Sequence, residues 1–278
     1  MNAANPPENP IGVFDSGVGG LSVLREIRRE LPHEDLLYVA DSGHAPYGDK
    51  STQLIEARSI AIVEFLVSQH AKAIVVACNT ATGAAVKTLR ARFSIPIVAM
   101  EPAVKPAAAH TQSGVIGVLA TSGTIASDNF AKLYTRFGAD VKILMQACPG
   151  LVEQVEAGDL SGDKTRALIE QYVLPLLAQK ADTIVLGCTH YPFLASLIQE
   201  IAGSSVAIID PAAAIARELR RRLASIKQLS PEAHAGTERF WTSAASDKTK
   251  QVISQLWQAD IDVRSLPNVS SVEATLKN

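Results

Sequence analysis

Short runs of consecutive apolar residues punctuate this chain, and stretches with helical spacing fill the intervals between them. The runs include "IGVF" from Ile11, "LLYVA" from Leu36, "AIVVA" from Ala73, "IPIVAM" from Ile95, "IGVLA" from Ile116 and "TIVLG" from Thr183. Between them lie patterns such as "LSVLREIRREL" and "LIEARSIAIVEFLVSQ". A strand buried on both faces needs an unbroken apolar run, and its alternation with amphipathic helices predicts parallel sheets covered on each side.

The pattern is written twice. "IGVFDSG" from Ile11 returns as "IGVLATSG" from Ile116, and "DLLYVADS" from Asp35 as "DVKILMQA" from Asp140, both at an offset of 105. "AIVVACNT" matches "TIVLGCTH", Cys78 falling on Cys188 at an offset of 110, and Glu101-Pro102 falls on Asp210-Pro211 at 109. Four matches in one order predict two pseudo-symmetric α/β lobes with mainly parallel sheets and a cleft between them. Residues 11–101 plus 211–278 are expected to form the first lobe and 102–210 the second. The tail, with helix "AAAIARELRRRLASI", strand "RFWTS", helix "DKTKQVISQLWQA" and strand "IDVRSL", is expected to return and complete the first. Residues 1–10, polar and proline-rich, are expected to be a disordered leader.

Ligands of open α/β sheets bind beyond the carboxyl ends of the strands. Cys78 and Cys188 hold that position in their two lobes, so the thiols are expected to face one cleft from opposite walls. Small hydrogen-bonding residues follow each: Asn79 and Thr80 in one lobe, Thr189 and His190 in the other. These can cap the next helix or hold the carboxylate and amine of a small ligand. His190 is either a satisfied structural histidine or a group that tunes the neighbouring thiol. After the first run, Asp15-Ser16-Gly17-Val18-Gly19-Gly20 leaves amides free at a helix N-terminus, which favours an anion. The turn is an imperfect dinucleotide fingerprint, because Ser22 stands where the third glycine belongs. The loop 41–51, "DSGHAPYGDKS", reads either as a surface turn or as part of the same edge, where it would bring Tyr47 and Gly48 to the cleft. Two facing thiols suit one kind of chemistry, in which a proton leaves one face of a carbon and another arrives at the opposite face, so that the centre inverts.

Composition narrows the alternatives. The 278 residues are 47% hydrophobic and 19% charged with a formal net charge of −2, a soluble globular balance without an electrostatic footprint for nucleic acid. Arg217, Arg220, Arg221 and Arg222 read as a solvated helix face. Residues 1–10 have no basic or apolar region, so no signal peptide is expected, and no apolar run reaches membrane-spanning length. The three cysteines lack paired spacing, which points to free thiols and a cytoplasmic location. Zinc sites show close ligand pairs such as C-x-x-C or H-x-x-x-H, and this chain has neither, so no metal is expected. Cys148, in "MQACPG", reads as packing or cleft lining.

The segments "FDSGVGGLSVL", "DSGHAPYG", "ACNTAT" and "LGCTHYPFL", in that order, resemble the signature segments of the glutamate racemases, and the resemblance runs from about residue 11 through "FWTSAASDKTKQV". It implies a cofactor-independent racemase that interconverts L- and D-glutamate, supplies D-glutamate for bacterial peptidoglycan, and is frequently a homodimer. It implies that Cys78 acts on D-glutamate and Cys188 on L-glutamate, with Asp15 and His190 as auxiliary groups. Asp15, Ser16, Tyr47, Gly48, Asn79, Thr80, Thr189 and His190 match the family's substrate-binding positions. Glu156 matches a glutamate that closes "CPGLVEQVE", where the family often has proline in place of Glu153. Three rival readings stand beside it: an aspartate racemase, a related decarboxylase, and an amino-acid-binding regulatory protein. The second thiol argues against the last two.

Overall fold

The computed structural model describes residues 6–137, 141–244 and 246–267. The apolar runs form β1 (Ile11–Asp15), β2 (Leu36–Ala40), β3 (Ala73–Val76), β4 (Ile97–Ala99), β5 (Val115–Ala120), β6 (Lys142–Ala147), β7 (Thr183–Leu186) and β8 (Ala207–Ile209). The tail adds β9 (Glu238–Thr242) and β10 (Val263–Ser265). Every pairing is parallel. The first sheet has the order β10-β9-β2-β1-β3-β4 and the second β6-β5-β7-β8. The strands β2-β1-β3-β4 of the first sheet therefore repeat the order of the second, and β9 and β10 extend the first sheet beyond β2.

The duplication reaches individual contacts. Gly12 of β1 pairs with Ile74 of β3, and Gly117 of β5 pairs with Ile184 of β7. A Cβ on Gly12 would come within 3.0 Å of Leu66 Cδ1, and one on Gly117 within 2.7 Å of Leu176 Cδ1. Leu66 lies in helix Thr52–Ser68 and Leu176 in helix Asp163–Ala178, each the helix that leads into the third strand of its lobe. In both lobes the glycine lets that helix settle against the sheet.

β1, β2, β3 and β7 are buried along their whole length, as strands covered on both faces must be. One apolar core crosses between the lobes, joining Val18, Leu21 and Leu24 to Val152, Val155, Tyr191 and Leu194. A second core fills the space between the first sheet and helices Thr52–Ser68 and Asn79–Arg92. A third lies under the second sheet against helices Val104–His110 and Asp128–Phe137. The arginine cluster sits on helix Ala212–Ser225, where Arg220 pairs with Glu30 at 3.0 Å and Arg221 and Arg222 share Glu218 at 2.7 Å.

The leader departs from expectation over residues 6–10. Pro10 is buried, and the Pro7 carbonyl accepts from Lys72 Nζ and from Ser230 Oγ. Lys72 is itself paired with the buried Glu34 at 2.5 Å. Residues 1–5 of that leader lie outside the described residues, as do Asp140 and the tail from 268 to 278. Among the described residues, no helix is long and apolar enough to cross a membrane.

The packing at Gly117 generates a test. Gly117→Ala is expected to lower the unfolding free energy by about 1–3 kcal/mol through overpacking. Leu176→Val should relieve part of that loss, giving a non-additive pair in urea denaturation. Strict additivity would show that Leu176 is not what the glycine accommodates.

Candidate active site

The carboxyl ends of the strands carry the site. Asp15 is the last residue of β1. Cys78 follows β3 and caps helix Asn79–Arg92, its sulfur accepting from the Ala81 amide at 3.4 Å. Cys188 follows β7 at the corresponding place in the second lobe. Both thiols line one cavity with Ser16, Tyr47, Gly48, Asn79, Thr80, Thr189 and His190. The cavity is tight, about 10 Å³, which is room for roughly one water molecule. An amino acid is larger than this volume, so its entry requires the wall to move.

Asp15 stands behind this cavity, fully buried. One oxygen accepts from the Ser16 amide at 2.7 Å, and the other from the Gly20 amide at 2.6 Å and from Thr189 Oγ1 at 3.3 Å, across the lobes. Burial pushes its carboxyl above the ordinary value; Glu156 adds to this, while the nearby His190 opposes it. Burial, with Asp15 beside it, likewise pushes the Cys78 thiol well up, so Cys78 holds its proton at neutral pH.

Glu156 ends helix Leu151–Glu156 in the second lobe and reaches into the first. Its Oε1 accepts from the Val18 amide at 2.7 Å and lies 2.7 Å from His190 Nε2, and its Oε2 accepts from Ser42 Oγ at 3.0 Å. The glycine-rich turn therefore does bind an anion, and the anion belongs to the protein. Asp15 takes the Gly20 amide and Glu156 the Val18 amide. Gly17 and Gly19 lack side chains for a steric reason: a Cβ on Gly17 would overlap the Glu156 carboxylate, and one on Gly19 the His190 ring.

His190 is 1% exposed, with Nδ1 3.7 Å from the Cys188 sulfur and Nε2 on Glu156. Burial alone would lower its pKa, but the bonds to Cys188 and Glu156 prevail and raise it well above the ordinary value. The second thiol thus has an imidazolium beside it, whereas the first has a carboxyl group.

Asn79 lines the cavity, yet among the described residues its buried Oδ1 and Nδ2 have no hydrogen-bond partner. A buried amide left unpaired costs about 1–3 kcal/mol, a cost that a polar ligand in the cavity would relieve. Thr80 Oγ1 meets Thr121 Oγ1 at 2.9 Å and Thr124 Oγ1 at 3.1 Å, joining the lobes. Thr121 and Thr124 line the cavity and were not singled out in the sequence, although the repeat carries Ser16 onto Thr121. Pro46 and Val152 also line it, with no local signal. Cys148 is buried, its sulfur donating to the Gln146 carbonyl at 3.3 Å, and it lines an adjoining hollow with the exposed Glu153.

Two sheets with one strand order, each ending in a thiol at a shared cleft, define a class. A family model described as Asp/Glu/Hydantoin racemase matches residues 11–219, and the chain belongs to that family. The relatives are more particular. The chain is 54% identical over 260 residues to the glutamate racemase of Methylococcus capsulatus, covering 94% of this chain and 96% of that one. Glutamate racemase isoform RacE1 of Bacillus anthracis superposes with a TM-score of 0.85 at 35% identity, over 94% of this chain and 98% of that one. Glutamate racemase of Francisella tularensis, solved in complex with D-glutamate, superposes with a TM-score of 0.83 at 28% identity, over 95% and 99%.

Two outcomes follow from this geometry. Gly17→Ala should displace Glu156 from Val18 and His190, lowering kcat/KM about ten-fold or more and stability by about 1–3 kcal/mol. Steady-state kinetics and urea midpoints on one preparation would check both, and parent values would refute the steric role. The second outcome concerns pH. An unfolded histidine loses its proton near about 6.5, whereas His190 keeps its proton to higher pH. The stabilisation is complete below about pH 6.5 and is lost as pH rises through the folded pKa. His190→Asn should flatten the alkaline decline of the denaturation midpoint; an unchanged slope would place that decline elsewhere.

Proposed function

We propose that the chain racemises glutamate without an added cofactor, with Cys78 and Cys188 exchanging the roles of acid and base on opposite faces of the α-carbon. The observation that carries this is the placement of both thiols, at equivalent strand ends, in the lining of one cavity. In the L-to-D direction, the Cys188 thiolate takes the α-proton while the Cys78 thiol delivers its own proton to the other face. The enzyme then holds a Cys188 thiol and a Cys78 thiolate, and the D-to-L direction runs the same transfers backwards. The protonated His190 places positive charge beside the Cys188 sulfur, and the burial that raises Cys78 keeps its proton available as the acid. Asn79, Thr80 and Thr189, with Ser16 and the Tyr47–Gly48 turn, supply hydrogen bonds to the substrate's carboxylates and ammonium. Glutamate as the substrate is supported by the glutamate racemases at 54% identity. A role in supplying D-glutamate for peptidoglycan, and a homodimeric state, rest on the resemblance of the signature segments.

Because enantiomers have equal free energies in an achiral solvent, any substitution must lower kcat/KM equally in both directions. The division of labour is therefore read from isotopes. In deuterated water, early D-glutamate formed from L-glutamate should carry α-deuterium, while unreacted L-glutamate should not. Cys78→Ser and Cys188→Ser should each lower kcat/KM by about 100- to 10 000-fold, since serine is close in shape but a far weaker acid and base. Activity that survives both substitutions at the parent rate, or that requires added pyridoxal phosphate or a divalent metal after dialysis, would overturn this reading.

A further inference from the structure

Arg58 lies outside the cavity, on helix Thr52–Ser68, and is only 5% exposed. Its Nε donates to Asp41 Oδ2 at 3.0 Å and its Nη2 to Asp41 Oδ1 at 2.7 Å, a two-point fork. Asp41 follows β2 and is fully buried, its own amide donating to the Asp15 carbonyl at 3.0 Å. The same Oδ2 accepts the Tyr47 hydroxyl at 2.6 Å. Burial would push the Asp41 carboxyl up, but bonds from His44, Arg58 and Tyr47 and the guanidinium charge outweigh it and hold it at about 2. A continuous line of buried polar groups thus runs from a helix in the first lobe to a residue of the cavity wall.

Tyr47 begins a single short turn, Tyr47–Asp49. On its far side the turn meets the second lobe: a Cβ on Gly48 would come 3.0 Å from Thr121 Cβ, and one on Gly123 would come 3.0 Å from the Gly48 carbonyl. The turn is held between this lobe contact and the Tyr47 hydroxyl. The hydroxyl has a defined place only if Asp41 does, and the two-point fork fixes Asp41 in rotation as well as in distance.

We propose that Arg58 is a positioning residue for substrate binding: through Asp41 it fixes the Tyr47 hydroxyl and thereby the Tyr47–Gly48 wall of the cleft. The inference rests on the reading of this cleft as the glutamate site. Lysine cannot replace the arginine, because an ammonium offers a point charge and no planar fork.

Arg58→Lys should raise KM about ten-fold for both enantiomers, the loss expected for one hydrogen bond in a charged network, with kcat within about two-fold of the parent. A merely structural arginine would reduce the active fraction, and so kcat, at constant KM. Tyr47→Phe removes the hydroxyl that receives the effect. In that background Arg58→Lys should change KM by less than about two-fold, since the line of contact is already cut. Should Arg58→Lys fail to fold, Arg58→Met combined with Asp41→Asn removes both charges without stranding either. That variant should show the same raised KM and the same insensitivity to Tyr47→Phe. Parent KM in the arginine variant, a loss confined to kcat, or fully multiplicative effects with Tyr47→Phe would each overturn the proposal. A parent protein that racemises neither enantiomer would instead refute the glutamate reading.

Discussion

The Glu156 carboxylate is the interaction on which the site depends. It leaves the second lobe, takes the Val18 amide and the Ser42 hydroxyl of the first, and holds His190 by Nε2. Remove it and three things change together: the imidazole loses one of the two bonds that keep it cationic, the Val18 amide loses its acceptor, and the lobes lose a polar bond across the cleft. The apolar core from Val18 and Leu21 to Val155 and Tyr191 makes the same connection behind it. The core resists wide separation of the lobes, and the carboxylate fixes their registry at the reacting edge.

Around that bond, a duplicated fold carries unlike groups. The sheets repeat strand order and even the glycine under a leucine, yet the thiol ending β3 has Asp15 near it, while the thiol following β7 has His190. Full chemical symmetry is not needed, because the equality of L and D is enforced by thermodynamics and not by the protein. What the two walls must share is geometry. What they can differ in is the group set beside each sulfur.

Strands and the repeat were legible because a doubly covered strand needs an unbroken apolar run, and such runs recur at offsets of 105 to 110. Cys78 and Cys188 were legible because the repeat carries one onto the other. The glycine turn was legible only halfway: its free amides announce an anion, but Glu156 donates that anion from 138 residues away from Val18. Loop 41–51 has the composition of a surface turn and is exposed at Gly43 and from Asp49 to Ser51, but Asp41 and Tyr47 are buried, and Arg58, which no local pattern links to Asp41, holds that carboxylate. Residues 6–10 have a leader's composition and are held by Lys72 and Ser230. In each case the deciding partner is remote in sequence, and composition records only what a segment would do alone.

The inward filling of the glycine turn has a consequence for selectivity among solutes. At the start of many α/β folds such a turn greets the phosphate of a nucleotide. Here a phosphate ester would have to evict two carboxylates tethered to the fold, and the turn's amides could not offset that loss. The segment that elsewhere receives the phosphate of a nucleotide is here filled from within, by Asp15 at the Gly20 amide and Glu156 at the Val18 amide.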